Sequence, residues 1–278
     1  MSQHRPEQDR EVAVQREVVR IALAGVAGFA LAGSGAIREH GMIERPTEDV
    51  DLFTTNQDVT AFSAAVDQVT DQRRGSGYQV DQSRRAAQFA RLHVATEDGL
   101  QLDVDLGVDW RQDDPVFLSV GPVLSVADAV GNKVSALYSR GEARDYLDVD
   151  AIRASGRFSD DQLVTAAAER DAGFEVGVFA QQLAAASRLQ PAQVVRYGVT
   201  ADQLEAVKAR CVEWAAGLLS QAGSEPVAGV SSEELRGLIE RRQAGFPTPA
   251  TEATRRPPGP QARPAQHHHL DPDRGIEL

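Results

Sequence analysis

The sequence predicts an α+β fold in which a small mixed sheet is followed by a purely helical C-terminal half. Up to about residue 124, short apolar runs that are typical of strands are interleaved with amphipathic segments that are typical of helices. From Ser125 onward only helical periodicity occurs, up to about residue 245. A chain of 278 residues is long enough for two domains, and we expect them at residues 1–124 and 125–245.

The first elements are a helix, a strand and a second helix. Apolar residues recur at helical spacing over residues 11–24, and the helix should end near Gly25. The apolar run 29–32 is bounded by glycines, which predicts a short buried strand. Gly33-Ser34-Gly35 then predicts a tight turn into a short helix at residues 36–40.

The remaining elements of the sheet follow in a regular order. The segment 49–53 alternates acidic and apolar residues, as expected of a strand with one polar face. A helix is predicted near residues 58–69, and strand-like runs follow at 78–83, 88–96 and 100–107. This alternation of strands and helices predicts a mixed sheet.

Capping-box patterns mark the beginnings of several helices in the C-terminal half. They pair Ser159 with Gln162, Thr200 with Gln203, and Ser231 with Glu234. After Phe246 no apolar periodicity remains, and seven of the thirteen prolines lie in the last thirty-three residues. Residues 246–278 are therefore predicted to be a disordered tail.

The composition is that of a globular protein, with 42% hydrophobic and 25% charged residues. The longest apolar stretch, residues 21–32, is too short to cross a bilayer and follows a charged segment unlike a secretory signal. We therefore expect a cytoplasmic protein without a membrane partner. The single cysteine, Cys211, lies within a helical apolar pattern and is predicted to fill the core rather than to react.

The net charge of −12 argues against a surface that binds nucleic acid generally. Any contact with RNA must then use a local basic strip. The densest supply of positive charge consists of Arg73, Arg74, Arg84, Arg85 and Arg91. An ordinary solvated charged surface is an equally good interpretation of these arginines.

Two aspartates on one strand are the first candidate for chemistry. Side chains alternate along a strand, so Asp49 and Asp51 share one face while Val50 and Leu52 share the other. The two carboxylates are then about 7 Å apart along the strand, within reach of the same hard cation. The apolar residues beside them argue against two ordinary solvent-exposed aspartates, because burial of unpaired carboxylates is energetically costly.

The Gly33-Ser34-Gly35 segment is the second candidate, and it ends fourteen residues before Asp49. Glycines permit a close approach of the backbone, and the N-terminus of a helix favours anions such as phosphate. Each feature alone is a weak signal. The glycine-serine turn, the helix and the paired aspartates together are far more restrictive.

These segments, GSGAIREHG followed by TEDVDLF, resemble the signature of the DNA polymerase β nucleotidyltransferase superfamily. More narrowly they resemble the AbiEii group of toxins, which includes the mycobacterial MenT proteins. The similarity extends to GNKVSALYSRGEARDYLDVDAI at residues 131–152 and covers about residues 25–155. It implies an N-terminal polymerase β-like nucleotidyltransferase domain with a mixed sheet, followed by a helical C-terminal domain.

The resemblance also implies roles for individual residues. Gly33 and Ser34 would contact the phosphates of a nucleoside triphosphate, and Asp49 and Asp51 would bind Mg²⁺, with Mn²⁺ as the alternative. Lys133 would hold the triphosphate. Only two of the twenty-nine basic residues are lysines, which suggests that position 133 needs a compact charge.

Further carboxylates complete the resemblance. Asp148 matches the last aspartate of the pattern, and a third strand carboxylate would assist the attacking hydroxyl. Asp105 is the favoured candidate for that position, with Asp103 in reserve. Asp148 lies fifteen residues beyond Lys133, so the chain must fold back at Gly141 if both are to share a site.

Two other aspartates of this segment are expected to have no role in the chemistry. Asp145 is predicted to be a charge at the N-terminus of the second helix, and Asp150 is predicted to be solvated.

The function that the resemblance implies is transfer of nucleotides to the 3′ end of tRNA by a toxin whose partner is an antitoxin. One alternative is transfer to a small molecule such as an aminoglycoside, or to a protein, because the same core serves several acceptors. Another alternative, from a different class, is an interaction protein that retains the fold without catalysis.

Overall fold

The computed structural model describes residues 4–45, 47 and 49–222, and they form an α+β structure. The strands are β1 (Phe29–Leu31), β2 (Asp49–Thr54), β3 (Gln79–Arg85), β4 (Phe89–Ala95), β5 (Gln101–Val108), β6 (Val116–Leu118) and β7 (Gly121–Val123). The helices within the described part are α1 (His4–Gly25), α2 (Gly33–Glu39), α3 (Val59–Gly75), α4 (Val126–Ser139), α5 (Ala143–Ala154), α6 (Asp160–Ala168), α7 (Val176–Ala184), α8 (Pro191–Val194) and α9 (Ala201–Ala222). The predicted change from a sheet to helices at Ser125 is confirmed.

The strands form one seven-stranded sheet in the order β3-β4-β5-β2-β1-β7-β6. It is mixed, because β2 pairs in parallel with β5 and β1 in parallel with β7, while the other pairs are antiparallel. The register of β2 and β5 places Asp49 opposite Asp103 and Asp51 opposite Asp105. Partners in register point to the same face of a sheet, so this pairing gathers four carboxylates on one face.

The two faces of the sheet differ in polarity. Along β2, Val50 and Leu52 are buried, whereas Asp49 and Asp51 on the other face are half-buried. Helix α1 packs against α3 and contacts β1 and β7, while α3 contacts β3. Helix α2 lies against β2 and α4. The apolar face of the sheet thus packs into the core, and the acidic face is available to bind ligands.

The helices after Ser125 enclose a core of their own. Helix α4 packs against α5, α6 and α7, and α7 packs along α9. Aromatic rings fill the space between them, with the Phe179 and Trp214 ring centroids 5.3 Å apart. Cys211 is buried among these helices, and burial raises the pKa of its thiol to about 12, which confirms a structural role.

The predicted helix starts are partly confirmed. The capping boxes at Ser159 and Thr200 form as reciprocal hydrogen bonds, while the one predicted at Ser231 lies outside the described residues. The predicted tail at 246–278 also lies outside them. The division into domains at residue 124 stays a prediction, although β7 ends at Val123 and α4 begins at Val126.

Two sequence predictions need correction. Helix α2 begins at Gly33 rather than at residue 36, so Gly33-Ser34-Gly35 is the first turn of the helix and not a turn that precedes it. The two glycines concealed this, since glycine is a poor helix former. The hairpin of β6 and β7 was not predicted, because three-residue strands carry almost no periodicity. Among the described residues, no helix has both the length and the apolar character required to span a membrane.

Candidate active site

Three carboxylates converge on the polar face of the sheet. Asp49 and Asp51 come from β2 and Asp105 from β5, and one carboxylate oxygen of each lies within 4.8 Å of the others. The parallel pairing of β2 with β5 produces this convergence, because it sets Asp105 directly beside Asp51. Clustered carboxylate oxygens are the ligands that hard divalent cations prefer, so these three residues could hold a metal ion.

The electrostatics of this carboxylate triad favour a bound cation. Burial, together with the charges of Asp49 and Asp105, raises the pKa of Asp51 to about 7, against the lowering effect of Lys133 and Arg144. The pKa of Asp105 is also raised, since burial outweighs the effect of its arginine partner. Carboxylates that repel one another in this way are stabilised when a cation binds between them.

Arginines already contact two members of the triad. Arg144 donates from Nη1 to Asp49 Oδ2 over 3.2 Å, and Arg91 forms a bidentate pair with Asp105 at 2.6 and 2.5 Å. Sequence reasoning did not assign either arginine to the site. Arg91 could be assigned only from the β4–β5 register, which places it opposite Asp105.

Gly33 contacts the triad through its backbone. Its φ is +56°, and a Cβ atom at this position would overlap Asp51 Oδ2 and lie 2.7 Å from Asp51 Cγ. Only glycine combines this backbone conformation with this close approach. The first turn of α2 is thereby held directly against the Asp51 carboxylate.

A second cluster lies beside Gly33, where Lys133 Nζ donates to Ser34 Oγ at 2.8 Å and pairs with Asp148 Oδ2 at 3.0 Å. The Ser34 hydroxyl in turn donates to Asp148 Oδ2 at 2.6 Å, and Arg45 pairs with Asp148 Oδ1. Burial alone would raise the pKa of Asp148, but the charges of Lys133 and Arg45 outweigh it and the pKa is lowered. Asp148 is therefore an ionised carboxylate in the interior.

A fold-back of the chain creates this second cluster. Helix α4 ends at Ser139, Gly141 adopts a φ of +59°, and α5 returns from Ala143. Lys133 and Asp148 are consequently in direct contact, and the chain folds back at Gly141 as predicted. Lys133 also lies close enough to Asp51 to lower the pKa of that carboxyl, so the two clusters form one continuous polar site.

Other acidic residues near the site have different roles. Asp103 lies on the same face as Asp105 but pairs with His93 and does not belong to the triad. Asp145 accepts a hydrogen bond from the Glu142 backbone at 3.2 Å, which confirms it as a charge at the start of α5. The expectation that Asp150 is solvated is wrong, because Asp150 is buried in a bidentate pair with Arg210.

The arginines proposed as a basic strip do not form one continuous surface. Arg73 is fully buried and donates to the Val18 carbonyl, so it cannot contact RNA. Arg85 pairs with Asp67 of α3. Arg84 and Arg91, in contrast, lie opposite each other in the β3–β4 register.

Comparisons with known proteins agree with this geometry. A family profile described as "Nucleotidyl transferase AbiEii toxin, Type IV TA system" matches residues 24–211, which include both clusters. No curated protein matches the chain. A solved structure described as a "putative nucleotidyltransferase from H. pylori" shares the fold, with a TM-score of 0.50 and 15% identity over 82% of this chain and 100% of that one.

Two further solved structures are similar at lower TM-scores. JHP933 from Helicobacter pylori has a TM-score of 0.49 and 15% identity, over 86% of this chain and 99% of that one. MenT4, a nucleotidyltransferase toxin from Mycobacterium tuberculosis H37Rv, has a TM-score of 0.44 and 15% identity, over 84% and 92%. The family profile covers well over half of the chain, and on that match the protein belongs to the AbiEii family of nucleotidyltransferase toxins of type IV toxin–antitoxin systems.

Proposed function

We propose that this protein transfers nucleotides from a nucleoside triphosphate to the 3′ end of tRNA and is restrained by an antitoxin. The observation that supports the reaction is the convergence of Asp49, Asp51 and Asp105 with Lys133 in a chain of this family. We assign residues 1–124 to the nucleotidyltransferase core and residues 125–245 to a helical domain that contributes Lys133 and Asp148. We place the reaction in the cytoplasm.

Asp49 and Asp51 are the proposed ligands of Mg²⁺, with Mn²⁺ as the alternative. The donor set fits, because both side chains offer oxygen atoms. Burial and the charges of Asp49 and Asp105 raise the pKa of Asp51, and a bound cation would offset both effects. When bound, such an ion stabilises the negative charge that develops on the reacting phosphates.

The reaction joins the acceptor's 3′ oxygen to the α-phosphorus of the triphosphate. As that bond forms, the bond between the α-phosphorus and the bridging oxygen breaks, and pyrophosphate leaves with the bonding electrons. Asp105 is the proposed acceptor of the hydroxyl proton, and its raised pKa brings it closer to the value that suits a general base. Lys133 and Ser34 would hold the departing phosphates, with Gly33 giving them close access to the backbone.

The assignment of Asp105 rather than Asp103 can be tested with a matched pair of variants. Asp105→Asn should reduce transfer at least a hundredfold, because Asp105 belongs to the triad. Asp103→Asn should retain most of the activity, because its carboxylate lies outside the triad and pairs with His93 and, at 3.7 Å, with Arg91. The reverse ranking in initial rates would make Asp103 the third catalytic carboxylate.

Transfer to tRNA is best tested without choosing the acceptor in advance. The protein is incubated with Mg²⁺, total cellular RNA and each labelled triphosphate in turn, and the RNA is resolved by size. We expect label in the tRNA fraction with the wild type and none with Asp51→Asn. Label confined to other RNA, or no labelled RNA at all, would contradict the proposal.

One observation favours a second candidate acceptor. The net charge of −12 would attract a cationic small molecule such as an aminoglycoside. Parallel reactions with aminoglycosides and with tRNA distinguish the two acceptors, and a protein acceptor would appear as labelled protein. A non-catalytic role would be indicated if nothing is labelled and if Asp49→Ala affects cells as the wild type does.

A further inference from the structure

A row of four side chains crosses the polar face of the sheet and ends at the carboxylate triad. The strand registers place Arg84 of β3 opposite Arg91 of β4, Arg91 opposite Asp105 of β5, and Asp105 opposite Asp51 of β2. Neighbouring strands lie about 4.8 Å apart, so Arg84 is roughly 14 Å from Asp51 along this row. A short run of nucleotides can cover that distance.

The outer end of the row has an excess of positive charge. Arg91 is neutralised by its bidentate pair with Asp105, and its Nη1 also lies 3.7 Å from Oδ2 of Asp103, which pairs with His93 as well. Arg84 is exposed and makes no ion pair with any residue that the structure describes. Arg84 is therefore the uncompensated positive charge at the outer end of the row, and it can pair with a negatively charged ligand.

An aromatic surface accompanies the positive charge. The Arg84 guanidinium lies over the Phe89 ring, 5.1 Å from its centroid, on the same face of the sheet as Arg91. A stacked guanidinium and an aromatic ring both provide planes on which nucleobases stack. Single-stranded nucleic acid binds to surfaces that combine positive charge with aromatic planes in this way.

The row is open to solvent. Every residue of β3 except Val80 is exposed, and His93 next to Arg91 has a side chain that is 51% exposed. Helix α3 covers the opposite face, where Arg85 reaches Asp67. An extended strand of nucleic acid could therefore approach along the row and reach Asp105 without displacing a helix.

We propose that Arg84, Phe89 and Arg91 bind the single-stranded 3′-terminal nucleotides of an RNA acceptor and lead its 3′ hydroxyl to Asp105. Arg84 holds a backbone phosphate, and its stacked pair with Phe89 supports a base. Arg91 borders the path while it stays paired with Asp105. This assignment rests on the proposed function, because the row leads to Asp105, which is the proposed general base of that reaction. It also identifies which of the arginines contact RNA.

The test measures RNA binding directly, without triphosphate and therefore without turnover. The probe is a 5′-fluorescein-labelled RNA hairpin with a four-nucleotide 3′ overhang, titrated with protein in Mg²⁺ and followed by anisotropy. The variants are Arg84→Ala and Phe89→Leu, and Arg85→Ala is the matched control because it lies next to Arg84 and pairs with Asp67 on the other face. Arg91 is not varied, since its loss would also alter Asp105.

We expect Arg84→Ala and Phe89→Leu each to raise the Kd at least fivefold, and Arg85→Ala to change it less than twofold. Arg84→Ala should also reduce the slope of log Kd against log salt by about 0.7, the value for one phosphate contact on a single strand. A blunt-ended hairpin should bind the wild type at least fivefold more weakly than the overhang. Melting temperatures of the variants show whether each is folded.

The inference is overturned if the wild type binds both hairpins equally, or if folded Arg84→Ala and Phe89→Leu proteins both bind the overhang with the wild-type Kd. These outcomes are independent of the labelling experiment on cellular RNA. If the wild type labels RNA but Arg84→Ala binds the overhang with the wild-type Kd, the proposed function stands and this RNA-binding surface is rejected. A wild type that binds the overhang through Arg84 but labels no RNA would retain the surface and reject the reaction.

Discussion

Gly33 lies against the carboxylate of Asp51 so closely that any side chain at position 33 would overlap Asp51 Oδ2. The contact joins the first turn of α2 to strand β2, so the two sequence motifs are direct neighbours in the structure. Gly33 also has a φ of +56°, a conformation that other residues adopt only at a cost. The position of one proposed metal ligand therefore depends on the absence of a side chain in another element.

Gly33→Ala should reduce transfer at least tenfold, because the added methyl group must displace the Asp51 carboxylate or the first turn of α2. The affinity for Mg²⁺, measured by calorimetry, should fall with it. Gly99→Ala is the matched control, since Gly99 also has a positive φ, +89°, but a Cβ atom there would meet nothing within 4 Å. Equal losses in both variants would attribute the effect to backbone strain alone.

The pKa of Asp51 predicts how the stability of the metal-free protein depends on pH. Its folded value is raised to about 7 from an ordinary 3.8, so the folded state retains a proton that the unfolded state has lost. The free energy of unfolding should therefore fall as the pH rises from about 4 to about 7. Measured in EDTA, the wild type should have a lower melting temperature at pH 8 than at pH 5.5.

Asp51→Asn isolates this contribution, because the amide does not ionise but has nearly the same shape. The variant should be more stable than the wild type at pH 8 in EDTA, with a smaller difference at pH 5.5. Mg²⁺ should raise the melting temperature of the wild type at pH 8 and leave that of the variant nearly unchanged. If the melting temperatures of the wild type and the variant changed with pH in parallel, Asp51 would not be the carboxylate with the raised pKa.

Deletion of residues 247–278 should leave the melting temperature and the rate of transfer nearly unchanged. The match to the family ends at residue 211, and the deleted segment contains seven prolines without apolar periodicity. Thermal unfolding and initial rates of the shortened chain check both expectations. A lower melting temperature would show that the segment contributes to the fold.

The parts of the site that follow from local periodicity could be predicted from the sequence. Alternation along β2 places Asp49 and Asp51 on one face, and the glycine at position 141 allows α5 to return towards Lys133. Both features depend only on residues near one another in the chain. The predicted strands accordingly match the structure to within about two residues, apart from the β6–β7 hairpin, whereas α1 begins at His4 instead of residue 11 and α3 ends at Gly75 instead of residue 69.

The parts that depend on pairing between distant elements could not be predicted. Nothing local distinguishes Arg91, which binds Asp105, from Arg73, which is fully buried, because the difference arises from the register of β4 and the packing of α3. Asp150 was expected to be solvated for the same reason, since its partner Arg210 lies sixty residues away on α9. Long-range charge pairs of this kind require the assembled fold.

Lys133→Met should lower both the stability and the affinity for nucleotide. The ammonium forms an ion pair with buried Asp148 at 3.0 Å, and its removal leaves that carboxylate with Arg45 and Ser34 as its partners. Removal of one partner from a buried pair costs about 3–5 kcal/mol, and we expect about 2–3 because Arg45 still neutralises Asp148. Urea denaturation measures the loss, and calorimetry with a magnesium triphosphate measures the affinity.

Lys208→Met provides the matched control, because Lys208 is the other lysine of the chain and lies on α9. It pairs with exposed Glu205 within one turn of the helix, an interaction worth about 0.3–0.5 kcal/mol. This variant should unfold within about 0.5 kcal/mol of the wild type and bind nucleotide equally well. If Lys133→Met instead bound the triphosphate as tightly as Lys208→Met does, Lys133 would only neutralise Asp148, and the triphosphate would have to be held by other cations.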